Sequence, residues 1–108
     1  MTNVPNQTQE ESLHDEIDVE EYGKRGERPP RARRYRIRID RERFVVHVPQ
    51  MTGRDLLVLA GKKPPERFTI TQKLRGGAVR PLGLDEAADF TEPGVERFMT
   101  LPLDQTEG

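Results

Sequence analysis

Cysteine is absent from the 108-residue chain, which removes disulfides, thiolate metal sites and a cysteine nucleophile together. Tryptophan is also absent and aromatic residues make up 6%, so few rings are available to stack on nucleic-acid bases. No apolar run approaches the roughly 20 residues that cross a bilayer as a helix. The polar, acidic N-terminus lacks the apolar stretch of a secretory signal. A cytoplasmic protein with no membrane attachment is the expectation. Serine occurs once, at Ser12, and the two histidines are His14 and His47. They form no metal-ligand spacing and no nucleophile–base set, so the chain is expected to bind no metal or cofactor and not to be an enzyme.

What is abundant is charge, and it is unevenly placed. The net charge is −1. Residues 1–22 nevertheless hold seven acids and no Lys or Arg, a formal −7, leaving +6 for the remainder. Residues 24–43 hold ten bases against Glu27, Asp40 and Glu42. Residues 1–33 combine Asn, Gln, Glu and Gly with the Pro29-Pro30 pair, and their sparse apolar residues show no folding period. Burial there is too small to offset ordering entropy, so residues 1–33 read as a disordered tail, acidic and then basic. Within it, Asp15 to Tyr22 interleaves Ile17 and Val19 with acids, the pattern of a segment that adds a strand to a sheet edge, of its own domain or a neighbour's. A solubilising tail is the simpler reading.

Regular patterning begins at Tyr35. Tyr35, Ile37 and Ile39 alternate with Arg34, Arg36, Arg38 and Asp40, a strand with one apolar and one cationic face. Asp40-Arg41-Glu42 reads as a turn, and Phe44, Val46 and Val48 alternate in a second strand, so the pair is a hairpin closed by Pro49. Thr52-Gly53-Arg54-Asp55 resembles a capping box with Asp at the fourth position, and Met51 and Leu56 hold the staple positions. A helix over 53–60 follows, ending at Gly61. Phe68 to Leu74 and Val79 to Leu82 read as strands about a Gly76-Gly77 turn. Leu84 to Phe90 reads as a helical turn, and Val95 to Leu101 as the last strand. A hairpin followed by a helix that crosses a mixed sheet is the α+β, β-grasp arrangement, over 34–102, with 103–108 as a flexible C-terminal tail.

In YRIRIDRERFVVHVP, MTGRDLLVLAGKKPP, QKLRGG, GLDEAADF, EPGVERFMTLP and the terminal Gly108, residues 35–108 resemble ubiquitin-like proteins, and among them the bacterial multiubiquitin-domain family. The resemblance implies a ubiquitin-like β-grasp fold and use as a conjugated modifier in antiphage operons. The partners it implies are an E1-like adenylating enzyme that uses ATP, an E2-like conjugating enzyme, a JAMM-type deconjugating peptidase and target proteins of unknown identity.

Such chemistry suits a terminal glycine. A carboxylate is a poor acylating agent until it is adenylated and passed to a thiol, and glycine lets enzymes approach the backbone closely. Gly108 is the expected conjugation residue. With no cysteine in this chain, the thiols must belong to the partners. Glu107 stands where ubiquitin has a second glycine, which suggests dedicated partners. Leu74-Arg75-Gly76-Gly77 copies the ubiquitin ending, but 31 residues follow it, and a turn with positive φ is the reading for those glycines.

Leu101, Leu103 and Glu107 are candidates for docking the tail to partners. Arg36, Arg38, His47 and Lys73 are candidate sheet-face contacts, against the alternative of a solvated face. Lys24 is a candidate self-acceptor, on the expectation that it lies in a flexible segment. The arginine run also suits phosphate, but scarce aromatics and the acidic tail disfavour nucleic acid as a partner. A sulfur carrier ending in a thiocarboxylate and a non-conjugated β-grasp binding module are the alternative functions.

Overall fold

The computed structural model describes residues 13–103. Its elements in chain order are β1 (His14–Asp18), α1 (Val19–Arg25), β2 (Ala32–Ile39), β3 (Glu42–Val46), β4 (Gln50–Thr52), α2 (Gly53–Leu59), a 3-10 turn (Pro65–Arg67), β5 (Phe68–Leu74), β6 (Val79–Leu82), β7 (Ala87–Asp89) and β8 (Val95–Pro102). The main sheet runs β1-β2-β8-β5-β6, with β3 also on β2, and β4 and β7 form a separate two-stranded sheet.

The hairpin, α2, β5, β6 and β8 lie where periodicity places them, except that β3 ends at Val46 and leaves Val48, expected in that strand, exposed beyond it. β3 pairs antiparallel with β2 from Tyr35↔Val46 to Ile39↔Glu42. At the turn Asp40 adopts φ 55°, a left-handed conformation that Asp tolerates better than most residues. Its carboxylate accepts from Thr100 N at 2.9 Å and Thr100 Oγ1 at 2.6 Å, so the hairpin turn is tied to β8. Tyr35, Ile37, Ile39, Leu56, Ile70 and Phe98 are buried between the sheet and α2. Phe90 stacks obliquely on Tyr35 and edge-on to Phe98, with centroids 5.9 and 6.3 Å apart.

Thr52 caps α2, its hydroxyl accepting from Asp55 N at 3.1 Å. Two further N–H groups of that first turn, those of Gly53 and Arg54, donate to the carbonyls of Glu86 and Leu84. The segment around 84–86 therefore closes α2, and Leu84 to Phe90 is not a helical turn. Residues 87–89 instead pair antiparallel with β4, Thr52↔Ala87 to Gln50↔Asp89. A three-residue strand carries too little pattern for a period to show.

The larger correction concerns the N-terminal segment. Residues 1–12 and 104–108 lie outside the described residues. From His14 onward, however, the chain expected to be a tail is folded: β1 runs parallel to β2, with Ile17↔Tyr35 and Asp18↔Arg36 in register. Because β3 takes one edge of β2, β1 and β8 share the other, β1 along Ala32–Arg36 and β8 at Ile39. Ile17 and Val19 join the core, 4% and 2% exposed. Asp18 caps α1 by accepting from Glu20 N and Glu21 N. The β1–α1 unit thus buries apolar side chains that would be too few to order an isolated segment, against a sheet that already exists.

Candidate functional site

The sheet face turned away from α2 is built from alternate residues. Arg34, Arg36 and Arg38 come from β2. On β3, Arg43 lies opposite Arg38 and Val45 opposite Arg36. On the far side, Lys73 of β5 lies opposite Arg97 of β8, Thr71 opposite Met99, and Thr69 opposite Leu101. The period-2 alternation of a strand requires this segregation of apolar from cationic residues.

Arg34, Arg36 and Arg38 are met by acids of β1 and α1. Arg34 contacts Asp15 at 2.6 Å and Glu16 at 3.1 Å. Arg36 contacts Glu16 at 2.8 Å and Asp18 at 3.3 Å, and Arg38 contacts Glu20 at 3.2 Å. Three of these pairs, Glu16–Arg34, Asp18–Arg36 and Glu20–Arg38, keep a constant offset of 18 residues. Two period-2 rows of opposite charge are thereby zipped in register. Hydrogen bonds from Arg36 and then Arg34 hold the Glu16 carboxyl below the ordinary glutamate range. Both guanidiniums are raised, each mainly by its hydrogen bond to Glu16. Glu20 is buried, and Gly23 of α1 packs on the Val95 carbonyl so closely that a Cβ there would lie 2.1 Å from the oxygen.

Arg36 and Arg38, expected as contacts for partners, therefore already hold acids of their own chain. Nε of Arg38 and Nε of Arg97 are buried without a hydrogen-bond partner among the described residues. Lys73 pairs with Glu96 at 2.9 Å, and His47 is exposed just beyond β3. Leu101 and Leu103 are exposed, 68% and 53%, and Leu103 N donates to Arg67 O at 2.8 Å. Lys24 does not lie in a flexible segment. It occupies the last turn of α1, 3.8 Å from Glu20, and its carbonyl accepts from Arg75 Nε at 3.2 Å. Gly76 and Gly77 have φ of 91° and 97°, and Gly77 N donates back to Leu74 O, so the internal Arg-Gly-Gly is a turn. Glu107 and Gly108 lie outside the described residues.

Glu16, Asp18 and Glu20 escaped the sequence reading as partners of the arginines. Their signal was present in the matching alternation of acids at 16, 18 and 20 and bases at 34, 36 and 38. Among the described residues, no group of three or more His, Cys, Asp or Glu could hold a metal ion, and no helix is long and apolar enough to cross a membrane.

A family model described as multiubiquitin matches residues 35–102, from the first residue of the hairpin pattern to the end of β8. The chain belongs to the multiubiquitin family. This multiubiquitin domain has the ubiquitin-like fold, a mixed sheet packed on a helix, and the β1–α1 unit lies ahead of the matched residues. Comparisons with curated proteins and with solved structures gave no match.

Proposed function

We propose that this protein is a bacterial ubiquitin-like modifier, activated at Gly108 and conjugated to amines of target proteins, in antiphage defence in the cytoplasm. Membership of the multiubiquitin family over 35–102 carries this reading. The exposed Leu101 and Leu103, where β8 gives way to the residues that precede Gly108, support it as a place for enzymes to grip the tail.

In this reading the chain is cargo. The Gly108 carboxylate attacks the α-phosphate of ATP on an E1-like enzyme and releases pyrophosphate. A thiolate of that enzyme then displaces AMP to form a thioester, which passes to an E2-like cysteine. An amine of the target attacks the thioester carbonyl, the amide forms, and the thiol leaves. A JAMM-type peptidase reverses the bond by hydrolysis.

The test mixes the full chain with its cognate E1-like and E2-like enzymes and ATP, and follows adducts by intact mass spectrometry. A thiol-sensitive adduct followed by a thiol-resistant conjugate, both lost on deletion of Gly108, is the expected result. An unchanged yield without Gly108 sinks the reading, and a thiocarboxylate product would identify a sulfur carrier instead.

A further inference from the structure

The β1–α1 unit is joined to the rest of the domain by a short connection. Gly26, with φ 72°, Glu27 and Arg28 are exposed, and Pro29 then anchors the chain in the interior. What holds the unit down is a set of contacts between separable surfaces. Ile17 and Val19 enter the core, Glu16, Asp18 and Glu20 meet the arginines of β2, and Gly23 lies on the Val95 backbone. Nothing in these contacts requires the two surfaces to belong to one chain. The outermost pair, Arg34–Asp15, is solvent-exposed and screened by salt, while the pairs of Glu16, Asp18 and Glu20 are part-buried. The multiubiquitin match begins at Tyr35, so it takes in Arg36, Arg38 and Val95 of the acceptor surface and leaves out Arg34 and the whole β1–α1 unit.

We propose that β1–α1 is exchanged between copies of this chain. The unit of one copy docks on Arg34, Arg36, Arg38 and Val95 of a second, which returns its own unit in a two-fold arrangement. A second copy is the occupant that fits, because it carries the acids at the 18-residue offset, the apolar pair and the glycine at the register the edge accepts. The exposed residues 26–28 straighten to release the unit, at the loss of the bonds by which Gly26 N and Glu27 N cap α1, and the contacts of β1–α1 with the sheet are remade between copies. This has a distinctive signature. Monomer and dimer contain the same ion pairs, so their equilibrium depends on protein concentration and little on salt. Their interconversion requires the pairs to break, so high salt accelerates it.

The experiment uses full chains and native mass spectrometry. Wild type is concentrated in high salt, returned to low salt and measured over time. A dimer that persists and then relaxes slowly to the same fraction reached from monomer is expected. In a second arm, one variant carries Glu16→Arg and Asp18→Arg and the other Arg34→Glu and Arg36→Glu. Each alone sets like charges face to face, while an equimolar mixture restores both interfaces only by exchange. The mixture is expected to give heterodimer at least tenfold above either homodimer. Wild type that stays monomeric after the high-salt step overturns the proposal, whether or not the variants fold. So does an equimolar mixture that forms no more heterodimer than either homodimer, because only exchange can bring the complementary charges of the two variants together.

Discussion

Glu20 Oε2 accepts a hydrogen bond from Arg38 Nη1 at 3.2 Å, on a glutamate side chain only 6% exposed. It is the innermost of the acid–arginine contacts. Removing Glu20 leaves the half-buried Arg38 guanidinium without its acid, which costs more than the pair itself contributes. Glu20→Ala is expected to lower stability by about 2 kcal/mol, and Glu20→Gln by less, because the amide still offers an oxygen to Arg38. Urea unfolding midpoints with unchanged slopes check both.

Gly23 tests how α1 is seated. A Cβ at this position would meet the Val95 carbonyl oxygen at 2.1 Å, and the atoms it would meet are all backbone. No rotamer change can relieve the contact. Although alanine favours a helix, Gly23→Ala is expected to destabilise the protein by about 2 kcal/mol through overpacking. Amide exchange should show the loss first in residues 14–25, with protection in β5 least affected.

Acid should loosen the same unit. The Glu16 carboxyl is held below its ordinary value, first by the hydrogen bond from Arg36 and then by that from Arg34. A depressed carboxylate contributes stability that is fully present above its unfolded value of about 4.3 and is lost as pH falls through the lower folded value. Protection of the β1 amides should therefore hold at neutral pH and decline below the usual glutamate range. In Glu16→Gln that part of the decline should vanish, with protection already reduced at neutral pH. Hydrogen exchange measured across the acid range separates the two.

Asp40 combines two duties that substitution can separate. Its φ of 55° favours glycine, and its carboxylate binds Thr100 twice. Asp40→Gly keeps the turn and loses the bonds, at an expected cost of about 2 kcal/mol. Asp40→Ala loses both and should cost about a further 1 kcal/mol. The order of the thermal midpoints, wild type above glycine above alanine, checks the division.

Much of the multiubiquitin domain was legible because its information is local. Alternation over 35–39 and 44–46, the Thr52 cap and the Gly76-Gly77 turn are set by side-chain period and backbone freedom, and each element formed where those place it. The 87–89 strand was not legible, since it exists through pairing with β4 and the closure of α2 by residues 84–86. The site was half legible. Arg36 and Arg38 could be named as face residues, but not that acids of the same chain already hold them.

By itself, then, the amino-acid sequence determined the hairpin, the helix over 53–59, the strands at 68–74 and 79–82, and the segregation of acids ahead of bases. Only the tertiary structure decided that residues 14–25 fold. Ile17 and Val19 are too few to offset the entropy of ordering an isolated segment. Beside an assembled β2 they find a core to enter, an edge of unpaired backbone groups to satisfy and three arginines at the spacing of their neighbouring acids. The charge asymmetry reads from sequence as two opposed blocks, and in the folded molecule it becomes one interface.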